Sequence, residues 1–112
     1  HFNEALQINP DFDDAHNNLG VVLASQKKFD EAIEHYSKAL RINPGFARVH
    51  NNLGSTLIRK GQLEEAIVHF REALRIRPGY ASAKSNLEKA LASRDRMDTG
   101  FEKNQKKEVR TG

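Results

Sequence analysis

The chain has no cysteine, so disulfides and thiolate metal sites are excluded and the redox compartment stays open. No apolar run approaches the ~18 residues that would cross a bilayer, and nothing resembles a signal peptide. HExxH, GxSxG and a glycine loop of the kind that cradles phosphate are all missing, which leaves no recognisable catalytic motif and no cofactor to expect. A dense basic stripe is missing too, although the pI is near 9.3 and the formal net charge is +3. Residues 1–92 carry 12 Lys and Arg against 11 Asp and Glu, and residues 93–112 carry 6 against 4. The body is close to neutral, with no aromatics interleaved among its cations, so neither nucleic acid nor an anionic membrane surface is an expected partner. With 112 residues, 38% of them hydrophobic, only a regular architecture would spread so small a core well.

That regularity is written into the chain. HNNLG occurs at residues 16–20 and again at 50–54, and KSNLE follows at 84–88, placing Asn18, Asn52 and Asn86 at intervals of 34 residues. The same shift aligns His1-Phe2 with His35-Tyr36 and His69-Phe70. It also aligns Ala5-Leu6 with Ala39-Leu40 and Ala73-Leu74, and Pro10 with Pro44 and Pro78. A firm period of this length marks duplication of one supersecondary unit, complete at 13–46 and 47–80.

Each unit reads as two helices. In the first unit Ala15, Leu19, Val22 and Leu23 recur at helical spacing; a polar break at Ser25–Lys28 separates them from Ala32, Ile33, Tyr36, Ala39 and Leu40. The second unit repeats this with Val49, Leu53 and Leu57, a break at Lys60-Gly61-Gln62, then Ala66, Ile67, Phe70, Ala73 and Leu74. The second helices open on acids (Asp30-Glu31, Glu64-Glu65) and close on bases (Arg41, Arg75, Arg77), matching the helix dipole at both ends. Pro44-Gly45 and Pro78-Gly79 then stop them. Gly20 and Gly54 fall mid-helix, where glycine costs ~1 kcal/mol relative to alanine, so a close approach by the facing helix is expected at both.

On Leu19, Gly20, Leu23, Ala32, Tyr36, Ala39 and Pro44, repeated as Leu53, Gly54, Leu57, Ala66, Phe70, Ala73 and Pro78, the chain resembles the tetratricopeptide repeat family. The resemblance implies an all-α fold: tandem helix-turn-helix repeats in a right-handed superhelix, here with a C-terminal cap helix. Residues 1–12 are expected to be the second-helix remnant of an upstream repeat, 81–97 the cap helix and 98–112 a polar, mobile tail. In the cap, Glu88 replaces the close-packing glycine, and Gly100, Asn104 and Lys107 fall where a packing second helix would need Ala, an aromatic and Ala. His16 and His50 depart from a position where the family often has an aromatic, and Lys27 from one where it often has glycine.

In such superhelices the first helices line a concave groove. By resemblance the groove residues are Asp14, Asn17, Asn18 and Val21, then Arg48, Asn51, Asn52 and Ser55, then Ser82, Ser85, Asn86 and Lys89. A carboxamide offers both donor and acceptor and can pair with any peptide backbone. Neighbouring helices lie 8–10 Å apart and an extended strand advances ~6.6 Å per two residues, so a ladder of amides could hold a peptide at intervals. Asn18, Asn52 and Asn86 resemble the asparagine ladder of O-linked N-acetylglucosamine transferases, and Arg48 and Lys89, opposed by Asp14, would tune charge preference. The carboxylate clamp of chaperone-binding relatives is matched only at Asn52.

The expected function is therefore protein or peptide binding through the groove, as an interaction scaffold without catalytic residues. Alternatives are the C-terminal targeting region of a larger enzyme such as a glycosyltransferase, and a self-assembly scaffold that forms a homo-oligomer through an open N-terminal edge of Phe2 and Leu6. Equivalent histidines on successive repeats would stand a repeat translation apart, too far to share a zinc ion, so no metal site is expected. Nothing in the sequence names the compartment, with the cytoplasm slightly favoured.

Overall fold

The computed structural model describes the backbone of residues 11–111 and the side chains of residues 12–97. The remnant helix and the N-terminal edge expected at residues 1–10 lie outside the described residues. Among the described residues five helices follow one another: α1 (Asp11–Ser25), α2 (Phe29–Ile42), α3 (Ala47–Arg59), α4 (Leu63–Ile76) and α5 (Ala81–Thr111). α1 packs on α2 and α3 on α4 as antiparallel hairpins, α2 joins the two hairpins by packing on α3, and α5 covers α4 while touching α3. The molecule is accordingly elongated, 73 × 29 × 18 Å.

Both hairpin turns close in the same way. Lys28 N–H donates to the Leu23 carbonyl and Lys27 N–H to that of Ala24, and Gln62 and Gly61 repeat the pair on Leu57 and Ile58. This double closure needs one residue in the left-handed region, which is Lys27 (φ 65°) in one turn and Gly61 (φ 85°) in the other. Between hairpins, Phe46 N–H donates to Asn43 and Tyr80 N–H to Arg77, closing β-turns around Pro44-Gly45 and Pro78-Gly79.

The core runs along the axis as Ala24, Ala32, Tyr36, Ala39, Val49, Leu53, Leu57, Ala66, Ile67, Phe70 and Ala90. The two mid-helix glycines face its large rings. A Cβ at Gly20 would lie 2.5 Å from Tyr36 Cε1, and one at Gly54 would lie 2.5 Å from Phe70 Cε1. Neither ring is at the end of a flexible chain, so glycine is required at both sites by close approach.

Two expectations need correction. Leu19 and Val22 are 44% and 49% exposed, although their counterparts Leu53 and Thr56 are 4% and 2% exposed. Leu53 is buried because α2 precedes it in the stack; among the described residues no helix precedes α1. At the other end, the helix expected to stop at residue 97 continues to Thr111. No proline interrupts that stretch, and a single Gly100 does not end a helix.

Candidate peptide-binding groove

α1, α3 and α5 lie side by side and bring the asparagines into register. Asn52 Nδ2 donates to Asn17 Oδ1 at 2.9 Å, and one repeat later Asn86 Nδ2 donates to Asn51 Oδ1 at 2.9 Å. Asn51 Nδ2 in turn donates to Ser82 Oγ at 3.2 Å, and Asn86 Nδ2 also reaches Ser55 Oγ at 3.5 Å. The Asn51-Asn52 doublet therefore divides its labour: Asn52 reaches back to Asn17 of the preceding helix, and Asn51 receives Asn86 of the next.

Burial follows the same division. Asn17 and Asn51 are only 2% and 6% exposed, so these two, expected on the open groove, are interior and hold their neighbours. Asn52 and Asn86 are half-buried and Asn18 is exposed. Among the described residues nothing donates to the Oδ1 of Asn52 or Asn86, so each held amide keeps an acceptor for another molecule. Arg48 and Asp14, both about half exposed, form an ion pair at 3.6 Å, which contributes little to stability in so wet a setting. Lys89 is exposed, Ser55 half-buried. Beyond Asn86 the groove deepens into a cavity of about 250 Å³ between α3 and α5. Among the described residues no three His, Cys, Asp or Glu side chains converge to hold a metal ion, and no helix is long and apolar enough to cross a membrane.

The repeat period, the paired helices and the glycine–aromatic contacts have a counterpart in known sequences. A tetratricopeptide repeat family model matches residues 13–46 and 47–80. The chain belongs to the tetratricopeptide repeat family. Curated proteins give no significant match. Of the 146 solved chains with significant similarity, one, from the APC/C hetero-tetramer Cut9-Hcn1, superposes with a TM-score of 0.70 at 29% identity. The match covers 71% of this chain and 15% of that one, so the present chain spans a small part of its relative's length. So widely used a fold names no partner. It does establish a right-handed tetratricopeptide solenoid, a class of protein-interaction scaffold whose repeats are typically not catalytic.

This tetratricopeptide module also carries a feature that aligning equivalent residues conceals. His16 of α1 and His35 of α2 meet within the first repeat, Nδ1 to Nδ1 at 3.1 Å, and His50 and His69 do the same in the second. Ring centroids are 5.3 Å apart in both pairs, with planes inclined by 27° and 25°. That separation is nearly the sum of the 3.1 Å contact and two ring radii, so the nitrogens point at each other head-on. Such a line suits one shared N–H···N bond; a chelated ion would need lone pairs that converge from the side. The histidines are thus partnered within a repeat, 19 residues apart, a spacing present twice in the sequence.

Burial lowers the pKa of His16, and the His35, Lys38 and Arg41 charges lower it further. His69 is lowered by burial and by His50, against the pull of Glu65 and Glu72. His50 is lowered by burial and by Arg75, with the Pro44 carbonyl and Glu72 opposing. In a doubly protonated pair two N–H groups would collide. Because the folded pKa values lie below the ordinary 6.5, the unfolded chain binds more protons just below that pH. The resulting stability is present above about pH 6.5 and is lost as pH falls through the folded values. Urea midpoints should therefore drop between about pH 8 and about pH 5, and His16→Phe/His50→Phe should flatten the dependence. An unchanged slope in that variant would show that the pairs carry none of it.

Proposed function

We propose that the groove of α1, α3 and α5 binds an extended segment of a partner protein, with Asn52, Asn86 and Asn18 pairing with its backbone. The observation that carries this reading is the amide ladder, in which buried Asn17 and Asn51 fix Asn52 and Asn86 and leave their Oδ1 acceptors unused. A backbone N–H is the group that every extended peptide presents, and a fixed acceptor loses little entropy on meeting it. Arg48, Ser55, Lys89 and Asp14 border the ladder and would modulate which side chains are accepted. The same chemistry would serve a free scaffold or a module that targets an attached enzyme.

Peptide-library binding by the full chain, beside Asn18→Ala/Asn52→Ala/Asn86→Ala, tests the reading. Losing two or three backbone hydrogen bonds at about 0.5–1.5 kcal/mol each should weaken selected peptides about tenfold or more, with the helical circular dichroism retained. Equal binding by a folded variant would reduce the ladder to a packing device.

A further inference from the structure

The cavity beyond Asn86 differs in chemistry from the rest of the groove. Its floor is apolar, made by Ile58 of α3, Phe70 of α4 and Ala90 of α5, and its rim carries Arg59 and Lys89. No carboxylate lines it. Elsewhere four cations are held in ion pairs: Arg48 with Asp14, Lys60 with Asp30, Arg75 with Glu72 and Arg94 with Glu64. Lys89 has no ion pair among the described residues. Arg59 spends one nitrogen on the Ala24 carbonyl at 3.3 Å and lies 4.9 Å over the Phe29 ring, contacts that fix the guanidinium without neutralising it.

We infer that this cavity is a side-chain subsite for an acidic peptide, taking a bulky apolar residue on its floor and an Asp or Glu carboxylate between Arg59 and Lys89. The inference rests on the groove reading above, because the ladder sets the path of the chain. In an extended segment residues two apart project from the same side, ~6.6 Å apart. An apolar residue in the cavity therefore brings the side chain two positions away to the same rim, beside Asn86. The volume suits one large aliphatic or aromatic side chain, and the apolar floor lowers the local dielectric enough for the unpaired charges to select a carboxylate over its amide. An arginine held by a carbonyl and a ring loses little freedom when it binds the acid.

The test uses end-blocked peptides that differ only at these two places: Leu-Ser-Glu, Leu-Ser-Gln, Leu-Ser-Lys and Ala-Ser-Glu within one flanking sequence, titrated against the full chain. The Glu peptide should bind about tenfold more tightly than the Gln peptide, and the advantage should shrink with salt. Replacing Leu by Ala should cost about tenfold. Lys89→Glu, on an exposed position, should keep the fold and turn the preference toward the Lys peptide. Equal binding of Glu and Gln peptides, or an unaltered preference in Lys89→Glu, overturns the acidic subsite and leaves the groove reading standing. Binding that appears only when the peptide ends in a free carboxylate overturns it too, since the subsite then reads a terminus. If no peptide binds at all, both readings fall together.

Discussion

Phe70→Ala should destabilise the second hairpin by about 3–5 kcal/mol, the range for removing a fully buried aromatic side chain. Phe70 is 1% exposed, and its ring packs directly against Gly54 of α3. The loss should appear as a lower urea midpoint for the transition that includes α3 to α5, because each repeat in a linear array rests on its neighbours. A loss no larger than that of an exposed substitution would mean that the ring fills space without bearing on the contact.

The same contact predicts a change of sign. Gly54→Ala gains up to ~1 kcal/mol of helix propensity, yet its Cβ would stand 2.5 Å from Phe70 Cε1 and 2.8 Å from Cδ1. Overpacking of that kind costs about 1–3 kcal/mol, so in the wild-type background the substitution should destabilise. In the Phe70→Ala background the obstacle is gone and Gly54→Ala should stabilise by up to about 1 kcal/mol. Four urea titrations complete the double-mutant cycle. Destabilisation of similar size in both backgrounds would place the requirement for glycine in something other than the ring.

These glycine–aromatic contacts were legible in the sequence because they depend on size alone: a helix-breaking residue kept at the same place in two units implies a neighbour that excludes a side chain. The 34-residue period and the proline stops were legible for the same reason. The division of the asparagines was not. Asn17 and Asn18 differ by one step around the helix, and which faces inward depends on an amide 35 residues away in the next repeat. The histidine pairs escaped because a repeat alignment compares each residue with its equivalent, whereas His16 meets His35 and His50 meets His69. The exposure of Leu19 and Val22 reflects stacking context, which periodicity within one helix does not contain. Composition likewise marks residues 98–111 as polar, but polarity without proline does not end a helix.

The buried asparagines can be tested apart from those they hold. Asn51→Leu keeps the volume and adds apolar surface, but removes the acceptor for Asn86 Nδ2 and the donor to Ser82 Oγ. Leaving such groups unmatched costs about 1–3 kcal/mol, toward the lower end here because Asn86 and Ser82 both reach water. The larger effect should be on binding. Asn51 is 6% exposed and offers a ligand almost nothing, yet with its carbonyl gone Asn86 has only the 3.5 Å contact to Ser55 to orient it. Peptide affinity should then fall by about as much in Asn51→Leu as in Asn86→Ala. The double variant should be little worse than either single one, since both remove the same rung. Independent, additive losses would show that Asn51 supports the fold and Asn86 the ligand by separate means. Wild-type affinity in Asn51→Leu would show that Asn86 needs no holder, and the bond between Asn51 and Asn86 would be a matter of packing alone.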